Sequence, residues 1–331
     1  MKALYIHIPF CSKICTYCDF YKRVAKESLK EKYVSYLIKE LEMKKEYFSE
    51  LETIYIGGGT PTSLSPNLLK QILSYLKENI DFKKIKEFTV EVNPTDVTYE
   101  LASLLTTFKV NRISLGVQSL KRSKLKFLGR DHRYRNVKNA INTFKQVGIY
   151  NINCDIIFGT KRDSKRLVIK DIKKLLKMNI THISTYSLQL EQKTILYKLF
   201  KENKFKPITE ELDSEIYNAI CTFLKEKEFD HYEVSNFALN KDFRSLHNLT
   251  YWNNEQYLGV GAASSYYIDN IRYTNVYNID KYFEGIDNGK LNYFEVDEIV
   301  LGEKLFEEVM LGFRKLDGIN LTNFKEKYTK K

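Results

Sequence analysis

One pattern constrains the fold more than any other. A short apolar run, a turn and a longer helical run repeat about six times before residue 188. The runs Ala3 to Pro9, Thr53 to Ile56, Glu87 to Val92, Arg112 to Val117, Asn151 to Phe158 and His182 to Leu188 read as strands. Between them, Leu29 to Tyr47, Asn67 to Lys77, Tyr99 to Phe108, Arg133 to Val147 and Lys165 to Met178 carry apolar residues at helical spacing. Parallel strands need a crossover between them, so strand–helix alternation predicts an α/β fold with a parallel sheet and outer helices. The strands read as near-continuously apolar, as strands do when both faces are covered.

The texture changes after Glu210. Glu211 to Phe229 reads as a helix and His231 to Phe237 as a strand. A Tyr/Asn/Gly-rich stretch follows from Asn248 to Tyr277, and 278–331 reads as helical and charged. A soft boundary near Lys206-Pro207 divides the chain into a barrel-like region, 1–206, and a smaller α+β region, 207–331.

Three of the five cysteines crowd into Cys11-Ser12-Lys13-Ile14-Cys15-Thr16-Tyr17-Cys18, directly after the first strand. Thiols at this spacing can converge on one face of a loop. Three thiolates leave one iron of a [4Fe–4S] cluster without a protein ligand, open to a small molecule. Zinc usually takes four N/S ligands, often as two spaced pairs, and no second pair exists. Cys154 and Cys221 are isolated and read as packing residues. An odd, unevenly spaced set of cysteines suggests no disulfide framework and fits a reducing cytosol. No leader-like N-terminus and no apolar stretch of spanning length is present, so a soluble cytoplasmic protein is expected. The net charge of +11 has two readings. It suits an acidic partner such as nucleic acid, or a solvated lysine coat; no block of five like charges favours the first.

Polar residues fall at or just past strand ends. Gly57-Gly58-Gly59-Thr60-Pro61-Thr62 follows the second strand, where glycines would let a backbone approach a ligand or simply make a tight turn. Glu91, Gln118, Arg130 and Asp155 sit at or beyond later strands. A charged Glu91 or Asp155 in an apolar strand needs a partner, which a ligand, an ion pair or a helix cap could each supply. The ligand face of an α/β barrel lies at these C-terminal strand ends.

The cysteine spacing resembles the radical S-adenosylmethionine (SAM) superfamily. Tyr5-Ile6-His7-Ile8-Pro9-Phe10-Cys11, the triad, Gly57 to Thr62, Glu91-Val92-Asn93-Pro94, Arg112 to Ser119 and Leu128-Gly129-Arg130-Asp131-His132 follow in order. Tyr232 to Ala238 and His247-Asn248-Leu249-Thr250-Tyr251-Trp252 continue the series. Together, over roughly residues 3 to 320, they resemble the oxygen-independent coproporphyrinogen III oxidase family, and within it the haem chaperone HemW branch. That resemblance implies a partial (β/α)6 barrel with a smaller C-terminal region. It implies a [4Fe–4S] cluster on Cys11, Cys15 and Cys18. It places SAM against Tyr5, Tyr17, Gly58, Gly59, Thr60, Glu91, Gln118, Arg130 and Asp155.

The branch motif around His247 is associated with haem. A neutral imidazole is a normal axial ligand, and a hydrogen-bonded structural histidine is the other reading. Tyr251, Trp252, Tyr257, Tyr266 and Tyr267 are candidates for apolar porphyrin contact, and Arg244 and Arg272 for its propionates. His7 and His132 read as structural or supporting residues. The implied function is a haem chaperone with a haem-acceptor partner protein and a reductant for the cluster, without porphyrin decarboxylation. The oxidase of the family carries an extra cysteine where Phe20 stands here, and a long N-terminal extension. Coproporphyrinogen oxidation is the alternative activity, and a radical SAM reaction on RNA a further one. Departures from the family pattern are Gly159-Thr160-Lys161-Arg162-Asp163-Ser164 in a loop expected to cap the ligand face, and Ser265 where a histidine is common. In the family, further helices and a hairpin follow the position of Lys331.

Overall fold

The structure, a computed structural model, describes residues 1–329. Six strands, β1 (Ala3–Ile8), β2 (Thr53–Gly58), β3 (Glu87–Val92), β4 (Arg112–Gln118), β5 (Asn151–Phe158) and β6 (His182–Ser187), pair in parallel in chain order. The helices Glu27–Met43, Pro66–Asn79, Tyr99–Thr107, Tyr134–Gln146 and Lys165–Leu176 fall in the five crossovers. Their buried stripes explain why they form. Pro66–Asn79 buries Leu68, Leu69, Ile72, Leu73 and Leu76, and Tyr134–Gln146 buries Val137, Ala140, Ile141 and Phe144. Thr98 and Ser164 each accept an N–H of the first turn that would otherwise lack a partner.

The strands are less uniformly apolar than their composition suggests, and the alternation has a structural purpose. One parity is core: Leu4, Ile6 and Ile8, then Phe88 and Val90, then Ile113 and Leu115, then Ile152, Cys154 and Ile156. The other parity faces the inside of the curved sheet. There Tyr55, Glu91, Arg112, Ser114, Asn153, Asp155 and Ser184 line a cavity. Both faces are covered, one by helices and one by the lumen, which is why a polar inner row escaped the apolar reading.

Residues after Pro207 extend the same sheet at both edges. A hairpin, β7 (Asp230–Glu233) and β8 (Asn236–Ala238), joins antiparallel to β6. On the far side β9 (Tyr257–Val260) runs parallel to β1, followed by antiparallel β10 (Ser265–Ile268), β11 (Ile271–Asn275) and β12 (Tyr293–Glu298). The sheet is open, with β12 and β7 as its two ends. The helix Glu210–Glu226 matches the expected one within a few residues. Two expectations fail. The strand expected at His231 to Phe237 is broken by a turn at Val234-Ser235. The stretch expected to be helical from 278 contains β12, an edge strand whose Glu295 and Asp297 lie on one face and Glu298 on the other, all exposed. Lys330 and Lys331, the end of the 207–331 region, lie outside the described residues. No helix among the described residues is long and apolar enough to cross a membrane.

A short helix, Leu246–Trp252, plugs the N-terminal end of the lumen. Glu87 of β3 holds it there. Its carboxylate accepts the Leu246 N–H at 2.7 Å, the His247 N–H at 3.4 Å and the Ser245 hydroxyl at 3.2 Å. A negative group at a helix N-terminus satisfies donors that have no intrahelical partner.

Candidate functional site

The cysteine loop is anchored on three sides by backbone bonds. The Cys11 N–H donates to Arg23 O at 3.0 Å, and the Arg23 N–H to Pro9 O at 2.7 Å. The Thr16 N–H donates to Leu128 O at 3.2 Å, and its hydroxyl to Phe127 O at 2.8 Å. The Leu196 N–H closes on Thr16 O at 2.9 Å. His7 fastens the far end of the loop to β1. Its Nε2–H donates to Tyr21 O at 2.9 Å, an acceptor that assigns the tautomer, and Nδ1 accepts the Tyr5 hydroxyl at 3.0 Å. Burial pushes its pKa down to about 4, so the ring is a neutral tether.

A cavity of about 890 Å³ opens beside this loop, at the C-terminal strand ends. Cys11, Cys15, Cys18, Tyr17, Gly58, Gly59, Thr60, Glu91, Gln118, Arg130 and Asp155 all line it. Tyr5 and His247 do not. Thr60 Oγ1 lies 3.6 Å from Cys11 Sγ, and Arg130 Nη1 lies 3.7 Å from Cys15 Sγ. The other arm of Arg130 donates to Asn93 Oδ1 at 3.0 Å and to Gly116 O. Glu91 accepts the Tyr55 hydroxyl at 2.8 Å and the Gly58 N–H at 3.1 Å; burial raises its carboxyl to about 7. Asp155 accepts from Asn153 at 2.8 Å and Ser114 at 3.3 Å, and burial raises it too.

Local backbone explains two sequence choices. Gly58 sits at φ +110°, and a Cβ there would lie 2.5 Å from His7 Cε1. At Gly59 a Cβ would lie 2.7 Å from Phe10 O. The glycines let the end of β2 close against the cysteine loop. Gln118 ends β4 at φ 60°, an uncommon conformation for a residue with a side chain, and it aims into the cavity.

The donor set suits a cluster better than a single ion. Among the described residues no group of three or more His, Cys, Asp or Glu is drawn close enough to hold one metal ion. A four-iron cluster spaces its thiolates farther apart than one ion does, and three cysteine sulfurs facing one cavity match that need. Burial pushes the Cys11 thiol up to about 11, so without metal it stays protonated.

Several expected residues have other work. His247 is buried beneath the cavity, its Nδ1 2.9 Å from Thr53 Oγ1 and its Nε2 2.9 Å from the Tyr251 hydroxyl. Neither ring nitrogen is free for an iron in this fold. Tyr266 and Tyr267 are core residues, and Tyr251 packs edge-on to Tyr257 with ring centroids 4.7 Å apart. Arg244 pairs with Asp230 and Asp317, and Arg272 forks onto Glu307 at 2.9 Å. The loop 159–164 does not border the cavity; Ser187 to Gln189 and Glu191 do. Asp163 instead folds that loop on itself, bonding Thr160 and pairing with Lys124 at 2.6 Å.

Sequence reading missed Tyr55, Arg112, Ser114, Asn153 and Ser184 in the cavity wall. Strand parity would have found three of them. Arg112 and Ser114 share the parity of Gln118 on β4, and Asn153 that of Asp155 on β5.

His247 gives a pH prediction. Burial lowers its pKa from 6.5 to about 3, so the unfolded chain takes up the proton first. Its stabilisation is therefore complete above about pH 6.5 and is lost as pH falls toward 3. The thermal midpoint gap between the native chain and His247→Gln should be widest at neutral pH and narrow on acidification. A gap independent of pH would show that the ring is not held neutral.

Residues 5–183 match the Radical SAM superfamily. Heme chaperone HemW of Lactococcus lactis subsp. lactis is 37% identical over 329 residues, covering 99% of this chain and 85% of the relative. Heme chaperone HemW of Bacillus subtilis is 36% identical over 331 residues, covering 99% and 87%. Among solved structures, coproporphyrinogen III oxidase (HemN) from Escherichia coli superposes with a TM-score of 0.86 at 18% identity. That match covers 99% of this chain and 79% of the oxidase, a likeness of fold.

Proposed function

The chain belongs to the HemW family of haem chaperones within the radical SAM superfamily, and from that premise we propose that it binds haem and hands it to an acceptor protein in the reducing cytosol. It would do so carrying a [4Fe–4S] cluster and SAM. One observation carries the cofactor half of this reading: Cys11, Cys15 and Cys18 open into the same cavity as Gly58, Gly59, Thr60, Glu91, Gln118, Arg130 and Asp155. When bound, the cluster and SAM supply one-electron chemistry; the protein's part is to hold and orient them.

Each side chain has a task in that arrangement. The three cysteines hold the cluster, and Arg130 beside Cys15 stabilises the negative charge of bound thiolates. The glycines bring backbone against the ligand. Glu91 and Asp155 offer carboxylates to a positively charged sulfonium and amino group. Tyr5 acts at one remove, by orienting His7 and through it the loop. Haem enters the reading through family membership. Its iron ligand is not assigned to His247, whose nitrogens are both engaged.

Phe20 favours the chaperone over the oxidase. It is 69% exposed and borders the cavity where the family's oxidase carries an extra cysteine. Anaerobically reconstituted protein should bind haem with a shifted Soret band. It should yield no protoporphyrinogen from coproporphyrinogen III under reducing, SAM-replete conditions. Product at a multiple-turnover rate, or no haem binding, would overturn the reading.

A further inference from the structure

We infer that Arg112, on the floor of the cavity, receives the carboxylate of a bound ligand. The inference rests on the reading above, in which the protein takes SAM and haem, both of which carry carboxylates.

Arg112 begins β4 and is 2% exposed, yet it borders the cavity. It pairs in register with Thr89 of β3, while Glu91 pairs with Ser114, so Arg112 lies one layer deeper than Glu91. Its guanidinium has five N–H donors and almost nothing to give them to. Nη1 reaches Thr89 Oγ1 only at 3.5 Å, the limit of a hydrogen bond, and Nε has no partner among the described residues. No carboxylate among the described residues pairs with it. Glu87 is near in the same lumen, but its oxygens already accept from Thr89, Ser245, Leu246 and His247. A buried cation without a counter-ion is costly.

The other buried cations among the described residues, Lys44 and Lys124, each have a counter-ion. Lys44 pairs with Glu40 at 2.8 Å, and Lys124 with Asp163 at 2.6 Å. The exception faces the cavity, among the uncharged polar groups of Ser114, Asn153, Ser184 and Asn248. Asp155, the next acid above, turns its oxygens to Asn153 and Ser114. A planar fork with free donors, in a wall of hydrogen-bonding groups, fits two carboxylate oxygens side by side. The ligand chemistry is a carboxylate: a haem propionate or the methionine carboxylate of SAM.

Four titrations on the anaerobically reconstituted full chain separate these sources. Haem is compared with haem dimethyl ester by Soret absorbance, and SAM with decarboxylated SAM by calorimetry. Arg112→Met should weaken one acid-bearing ligand by about tenfold or more and leave its carboxylate-free counterpart unchanged. Loss confined to free haem assigns the propionate, and loss confined to intact SAM assigns the methionine carboxylate. Arg112→Lys should recover part of the loss, since it restores charge without the fork. If Arg112→Met fails to fold, Arg112→Lys against the native chain carries the same comparison, with a smaller selective loss expected. Equal loss within both pairs, or none in either, overturns the inference. Native protein that ignores haem would sink the chaperone reading, and the SAM pair would still decide the role of Arg112.

Discussion

Replacing Cys11, Cys15 or Cys18 by alanine should abolish cluster incorporation, and each single change should suffice. The loop is held by backbone bonds at Cys11, Thr16 and Arg23, so the loss will not come from unfolding. In the proposed reading each thiol supplies one of three protein ligands, and the two remaining cysteines, Cys154 and Cys221, do not line the cavity. Removing a residue that merely supports a ligand costs roughly 10–100-fold in metal affinity, and removing the ligand itself should exceed that. Thr60→Val, which deletes only the hydroxyl 3.6 Å from Cys11 Sγ, provides the milder comparison. Iron and sulfide content after reconstitution, with visible absorbance, measures the effect. A full cluster in the triple alanine variant would refute the assignment.

A large fall in stability is expected from Gly58→Ala, although the change adds one methyl group. Two costs coincide there. The backbone stands at φ +110°, which costs a residue with a Cβ about 1–3 kcal/mol. The new Cβ would also meet His7 Cε1 at 2.5 Å, an overpacking of about 1–3 kcal/mol. His7 can yield only by leaving Tyr21 O, and that bond ties down the C-terminal side of the cysteine loop. Cluster loading should therefore fall together with the thermal midpoint. Gly148→Ala separates the two causes, because it too has a positive φ, +90°, but open space around its Cβ. Its cost should be the backbone term alone, about 1–2 kcal/mol. Equal melting of the two variants would show that the close approach to His7 is not what requires glycine.

The parallel order of β1 to β6 was legible because local signals agree over it. Apolar runs, turn residues and helical stripes alternate at lengths that permit only crossover connections. The grouping of Cys11, Cys15 and Cys18 at one cavity was legible for a different reason: their spacing lies within eight residues, so no long-range contact is needed to bring them together. Glu91, Gln118, Arg130 and Asp155 could be placed from their positions at strand ends.

What the sequence by itself determined is thus the order of the parallel strands and the grouping of Cys11, Cys15 and Cys18 in one loop, because both are written in short-range pattern. Tertiary structure decided the rest. Tyr266, Tyr267, Arg244 and Arg272 looked available in the chain, but partners distant in sequence bury or pair them, as Glu307 does with Arg272 and Asp230 with Arg244. His247 stood with two readings open until the fold set Thr53 and Tyr251 against its two nitrogens. The end strands β7 and β12 are charged and β8 has only three residues, so their strand character comes from pairing with a neighbour and not from their own residues. Arg112 looked like the polar start of an apolar strand. Only the curvature of the sheet, which turns one parity of each strand into a shared lumen, made it a buried cation facing a cavity.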